Sequence, residues 1–110
     1  WAYAELLPVF GAIHDPARVV RDGNIITGGG VTAGIDFALT VLAEIGGNEL
    51  AQTVQLGLEY APAPPFDSGR PELAPAHVRE RYEVMRQKFM PLRRAEAERA
   101  ASVMPATEPA

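Results

Sequence analysis

The sequence predicts an α/β fold of which these 110 residues form the C-terminal part. Three observations carry that expectation. Ile25 and Ile26 are adjacent and apolar, the pattern of a strand buried on both faces, as in a parallel sheet with helices on each side. A helix expected from about Thr32 to Ile45 is apolar around nearly its whole circumference and demands a layer to pack against. One such strand cannot make that layer, so most of the sheet is expected to lie upstream. The same pattern also allows a small helical domain with a β-hairpin.

Each element has its own signal. Tyr3, Leu6, Leu7 and Phe10 recur at three- and four-residue steps, the mark of a helix end, with Gly11 as its left-handed terminator. Arg18–Arg21 and Asn24–Thr27 flank Asp22-Gly23, a hairpin signal. Gly28-Gly29-Gly30 breaks the second strand and opens the long apolar helix, which Gly46-Gly47 ends. Asn48 is placed to cap a further helix running to about Tyr60, with Leu50, Val54 and Leu58 as its stripe. The Pro-rich stretch Ala61–Pro65 leads to a last helix opened by Pro75, in which Val78, Tyr82, Met85 and Phe89 form an apolar stripe facing the domain or a partner subunit. Pro91 is expected to kink or end that helix. The organisation is residues 1–70, a C-terminal part of an α/β domain, then 71–104, a helical extension, then 105–110, a frayed tail.

Composition narrows the function. The formal charge is −4, with 14 acidic and 10 basic residues, which argues against a nucleic-acid backbone binder. The chain has no cysteine, excluding a disulfide, a thiolate metal site and a cysteine nucleophile within it. No apolar run approaches the roughly 20 residues of a membrane span. The basic positions from Arg79 to Arg94 are interrupted by Glu80 and Glu83, which suits a solvated, partly paired helix face. His14 and His77 are far apart and read as exposed, so no metal spacing exists. Ser68 and Ser102 lie in a connector and a tail, and no nucleophile–base–orienter set is present.

The sharpest local feature is Ile25-Ile26-Thr27-Gly28-Gly29-Gly30-Val31-Thr32-Ala33-Gly34-Ile35-Asp36: strand, glycine turn, helix start. Glycines permit close backbone approach, and free N–H groups at a helix start favour an anion or a developing negative charge. A tight turn with no ligand fits the same pattern. Thr32 caps its own helix or donates to a bound group. Asp36, inside an apolar helix, must be hydrogen-bonded or ion-paired, and is expected to tie down the turn through backbone N–H groups. Trp1 and Tyr3 line a pocket or belong to the core or an interface.

The run from Asn24 to Leu39 resembles the ThiJ/PfpI superfamily. The segments Gln55–Tyr60 and Ala61–Gly69 are similar to its isonitrile (isocyanide) hydratase branch. The resemblance extends from Trp1 to about Phe89. It implies a flavodoxin-like, three-layer α/β sandwich (class I glutamine amidotransferase-like) and conversion of isocyanides to N-substituted formamides, a lyase reaction. It implies a cysteine on a nucleophile elbow, which in the family lies upstream of the position matching Trp1. This chain then supplies no catalytic, cofactor or metal residue. Gly28, Gly29, Gly30, Thr32, Asp36 and Trp1 are expected as pocket or supporting residues. The expected partners are an N-terminal segment of the same fold, a second copy in a homodimer and a small isocyanide, with neither nucleic acid nor membrane. The expected location is cytoplasmic, and no cofactor is implied. The Val31-to-Asp36 sequence is also shared by regulators that carry a helix-turn-helix domain, so a ligand-sensing module or a non-catalytic binding member is the alternative.

Overall fold

The computed structural model describes residues 1–105, and what was expected of the tail beyond Pro105 lies outside them. Their contacts form two units, each with its own packing. One is Asp15–Pro64, and the other joins Trp1–His14 to the residues from Pro65 onward.

In the first unit a hairpin leads into two helices. Strands β1 (Val19–Asp22) and β2 (Ile25–Gly28) pair antiparallel, with Asp22 opposite Ile25 and Val19 opposite Gly28. The two-residue loop is therefore Gly23-Asn24, one residue later than the Asp22-Gly23 signal, and Gly23 supplies its positive φ of 59°. The expectation that β2 is buried on both faces is overturned. Ile25 is 61% exposed and Ile26 half-buried, because β2 is paired on one edge only and helix α1 (Gly34–Gly46) packs against one side of the ribbon. The expected burial of the apolar helix fails for the same reason. No residue of α1 is buried, and Ile45 is 80% exposed.

The caps also differ from expectation. A short 3₁₀ turn, Val31–Ala33, precedes α1, and neither element has a side-chain cap, so Thr32 caps nothing. Gly46 and Gly47 do end α1. Helix α2 (Asn48–Gly57) starts at Asn48 itself, with Gly47 in the cap position. It stops three residues short of Tyr60. Its buried residue is Ala51 rather than the stripe leucines, of which Leu50 and Leu58 are exposed.

In the second unit a 3₁₀ segment, Ala4–Phe10, replaces the expected α-helical end and does stop at left-handed Gly11. It lies along helix α3 (Ala76–Ser102), with Pro75 in the cap position. Leu6, Met90 and Ala97 form the core, flanked by Val9, Phe10 and Phe89. Burying one such leucine contributes about 2 kcal/mol. Pro91 does not break α3. Its ring removes one intrahelical bond, yet burial of Met90 and Ala97 on either side holds the helix through it. The stripe is only partly covered within the chain: Phe89 is half-buried, while Val78, Tyr82 and Met85 remain exposed. Tyr82 stacks on Trp1 (ring centroids 5.2 Å apart) and Phe89 on Tyr3 (5.9 Å). Arg86 is the polar fastener. It pairs with Glu83 and Glu5 and donates to the Ala2 carbonyl at 3.2 Å, while Arg94 holds the other Glu5 oxygen at 2.7 Å. The basic run of α3 is thus partly neutralised, as its interleaved acids imply.

Among the described residues no large side chain is fully buried. So little buried surface cannot offset chain entropy with the usual margin. Residues 1–110 purified as a monomer should therefore unfold without a sharp heat-absorption peak in calorimetry. A cooperative transition would show that the chain is stable by itself.

Candidate functional site at the glycine turn

The turn between β2 and α1 is shaped by three different glycine constraints. A Cβ on Gly28 would sit 3.3 Å from Cβ of Phe37, so β2 approaches α1 too closely for a side chain to enter freely. A Cβ on Gly29 would meet the Arg18 carbonyl at 3.3 Å. Gly30 has φ 130° and ψ −178°, a region essentially closed to residues with a Cβ. Nothing stands within 4 Å of where its Cβ would be, so its constraint is backbone conformation rather than space.

Arg18 holds this turn at three points. Its carbonyl accepts the Gly29 N–H at 2.8 Å, extending the hairpin ladder by one residue. Its guanidinium donates through Nη2 to the Thr32 carbonyl at 2.8 Å and through Nε to Oδ2 of Asp36. The other Asp36 oxygen, Oδ1, accepts from the Tyr60 hydroxyl at 2.7 Å. Asp36 also lies in the first turn of α1, where a negative charge is favoured. Contrary to the expectation from sequence, Asp36 does not accept from backbone N–H groups of the turn. Both carboxylate oxygens are occupied by side chains, and its grip on the turn runs through Arg18.

Trp1 belongs to the other unit. There it borders a recess of about 210 Å³ whose walls include Pro71, Ala74, Val78, Arg79 and Tyr82. Gly28, Gly29, Gly30, Thr32 and Asp36 are brought together within Asp15–Pro64. His14 and His77 are both exposed, and no group of acidic or histidine residues suited to a metal occurs among the described residues. No helix among them is long and apolar enough to cross a membrane. Sequence reasoning missed Arg18 and Tyr60. Arg18 could have been found from the hairpin register, which carried one step past Val19–Gly28 sets it opposite Gly29. Tyr60 carries no local signal.

A strand, a glycine turn and a helix start stand together in a mixed α/β chain, and comparison with known proteins finds relatives for it. A crystal structure of a ThiJ/PfpI family protein from Pseudomonas syringae matches with a TM-score of 0.77 and 44% identity, covering 92% of this chain and 40% of that one. The fold is thus that of part of a flavodoxin-like α/β domain. More particularly, the chain is 57% identical over 102 residues to the isonitrile hydratase of Pseudomonas putida, covering 93% of this chain and 45% of the relative. The chain spans about half the length of the curated relative it matches. No protein-family model matches it. The resemblance to the ThiJ/PfpI superfamily and its isonitrile hydratase branch is borne out across more than nine-tenths of the chain.

The network also sets how its groups titrate. The Tyr60 hydroxyl and then the Arg18 guanidinium hold the Asp36 carboxyl below the usual carboxylate range, and the bond to Asp36 raises the Tyr60 phenol. A lowered carboxyl contributes stability that is present above about pH 4 and lost as pH falls through its folded value. A raised phenol contributes stability that is present below about pH 10 and lost as pH rises through its folded value. An ultraviolet titration should find one tyrosine ionising above about pH 10, and Asp36→Asn should bring that ionisation down. A Tyr60 titration unchanged by Asp36→Asn would break the assigned bond.

Proposed function

We propose that the protein carrying this chain is an isonitrile hydratase, converting R–NC and water to the N-substituted formamide R–NH–CHO. The observation that carries the reading is the 57% identity to such an enzyme over 102 residues, a span that includes most of the turn, helix and connector residues described above. The nucleophile is a cysteine outside these residues, since the chain has none.

The chemistry needs a thiolate and a proton source. The thiolate sulfur bonds to the terminal isocyanide carbon, and a proton reaches that carbon, giving the thioimidate R–N=CH–S. Water adds across the C=N bond to give R–NH–CH(OH)–S. Collapse passes the hydroxyl proton back to the group that supplied the first one, forms the carbonyl, breaks the C–S bond and returns the thiolate as the formamide leaves. This chain contributes a wall of the pocket. The Gly28–Gly30 turn brings bare backbone to the reacting group, and Thr32 and Asp36 support it from behind.

Gly30→Val in the full-length protein should force the backbone out of its glycine-only conformation, because φ 130° is closed to valine. Steady-state formamide production should fall while circular dichroism shows the fold retained. Wild-type activity in a well-folded variant would remove the turn from the active site. Full-length wild-type protein that makes no formamide from any isocyanide tried would sink the hydratase reading itself.

A further inference from the structure

We propose that Arg18 is a positioning residue of the reaction, whose guanidinium fork fixes the conformation of the Gly28–Asp36 segment. The proposal rests on the hydratase reading for its catalytic consequence and on this structure alone for the clamp.

The entry to α1 has no other fastener of its kind. No side chain caps the 3₁₀ turn or the helix. Gly30 sits at φ 130° and Val31, beside it, is 99% exposed; Ala33, at 2% exposure, is packed, so packing anchors the end of the 3₁₀ turn but not the exposed Gly30–Thr32 stretch. Arg18 reaches it before, within and after the bend, at Gly29, Thr32 and Asp36. The two side-chain bonds leave from different nitrogens in one plane, toward a carbonyl on the 3₁₀ turn and a carboxylate on the helix. A planar fork spans both at once, whereas a lysine ammonium is one point charge and meets one or the other.

The position of the cation supports the same conclusion. A positive group at the N-terminal end of a helix has the wrong sign for the helix dipole. Arg18 stays there because Asp36 compensates it, and Tyr60 orients Asp36 through the second oxygen. The arrangement is open to water, with the Arg18 side chain 55% exposed, so as an isolated ion pair it adds little to global stability. Its effect is local geometry. Backbone placed against a reacting group must be held closely, since a displacement of about 1 Å costs on the order of a hundredfold in rate.

The test uses the full-length protein with Arg18→Met, Arg18→Lys and, as a control, Arg21→Met. Arg21 lies on the same hairpin and pairs with Glu44, away from the turn. Amide hydrogen exchange over Gly28–Asp36 should quicken roughly tenfold in both Arg18 variants and stay unchanged in Arg21→Met. With an isocyanide substrate, kcat should fall roughly tenfold or more in both Arg18 variants, with KM little changed. Added guanidinium ion should restore part of the rate to Arg18→Met, because the site is accessible from solvent. Unchanged exchange in the turn, or faster exchange with unchanged kcat, overturns the proposal. So does a rate fully retained by Arg18→Lys, since charge without the fork would then suffice. If wild-type protein hydrates no isocyanide, the hydratase reading fails and takes the catalytic consequence with it. The exchange data then decide the clamp by themselves.

Discussion

The carboxylate of Asp36 is the point on which the Asp15–Pro64 unit turns. It is one of two charged groups, with Glu44, on a helix otherwise dominated by apolar residues, and each of its oxygens serves a different element. Oδ2 takes the guanidinium that precedes β1, and Oδ1 takes the hydroxyl of Tyr60 beyond α2. Hairpin, turn, first helix and the segment after the second helix meet at one side chain. A neutral amide of the same shape could still accept from Tyr60, but it would leave Arg18 without a counter-charge at the positive end of a helix. The charge on Asp36 therefore places the arginine, and the arginine places the turn.

Hydrophobic patterning and observed burial disagree in this chain, and the disagreement is informative. The pattern of α1 describes a helix meant to be covered on nearly every side, yet none of its residues is buried among the described residues. Ile25 tells the same story on β2. Apolar periodicity reports where a face is destined to lie, and burial reports what the available residues can cover. In a layered α/β fold the sheet supplies that cover for the helices. The mismatch is plain on β2 and α1, where Ile25, Ile35 and Ile45 stay exposed. It is least between α3 and the Ala4–Phe10 segment, where both partners of the contact are present.

Much of the local structure was legible because it depends on backbone chemistry at single residues. Gly11, Gly46-Gly47 and Pro75 punctuate the helices where their conformational preferences demand, and the hairpin forms where an Asp-Gly signal meets β-branched residues. The cap assignments to Thr32 and Asn48 failed because glycine or a 3₁₀ turn took the position beside each. Pro91 does not end α3, because tertiary packing on both sides outweighs the loss of one hydrogen bond. At the site, the glycines and Asp36 stood out, since glycine runs and a charge in the first turn of an apolar helix are local anomalies. Tyr60 did not, because the separation of 24 residues between its hydroxyl and Asp36 is bridged only by the fold.

Register links these levels. Asp22 pairs with Ile25 because Gly23 accepts the backbone conformation of a two-residue loop, and every later pair follows from that one. Carried through Val19 and Gly28, the same register puts the Arg18 carbonyl against the Gly29 N–H. A slip of one residue would move every side chain of the slipped strand to the opposite face of the ribbon. Arg18 would then point away from Thr32 and Asp36, and the turn would lose its backbone bond and its guanidinium together. The geometry of the proposed pocket wall is thus decided at a loop several residues away from it, by a glycine that touches none of the site residues. An insertion in that loop would disturb the site more than many substitutions on α1 itself, because α1 offers the turn one carboxylate whereas the hairpin supplies both the guanidinium and the backbone carbonyl that hold the turn.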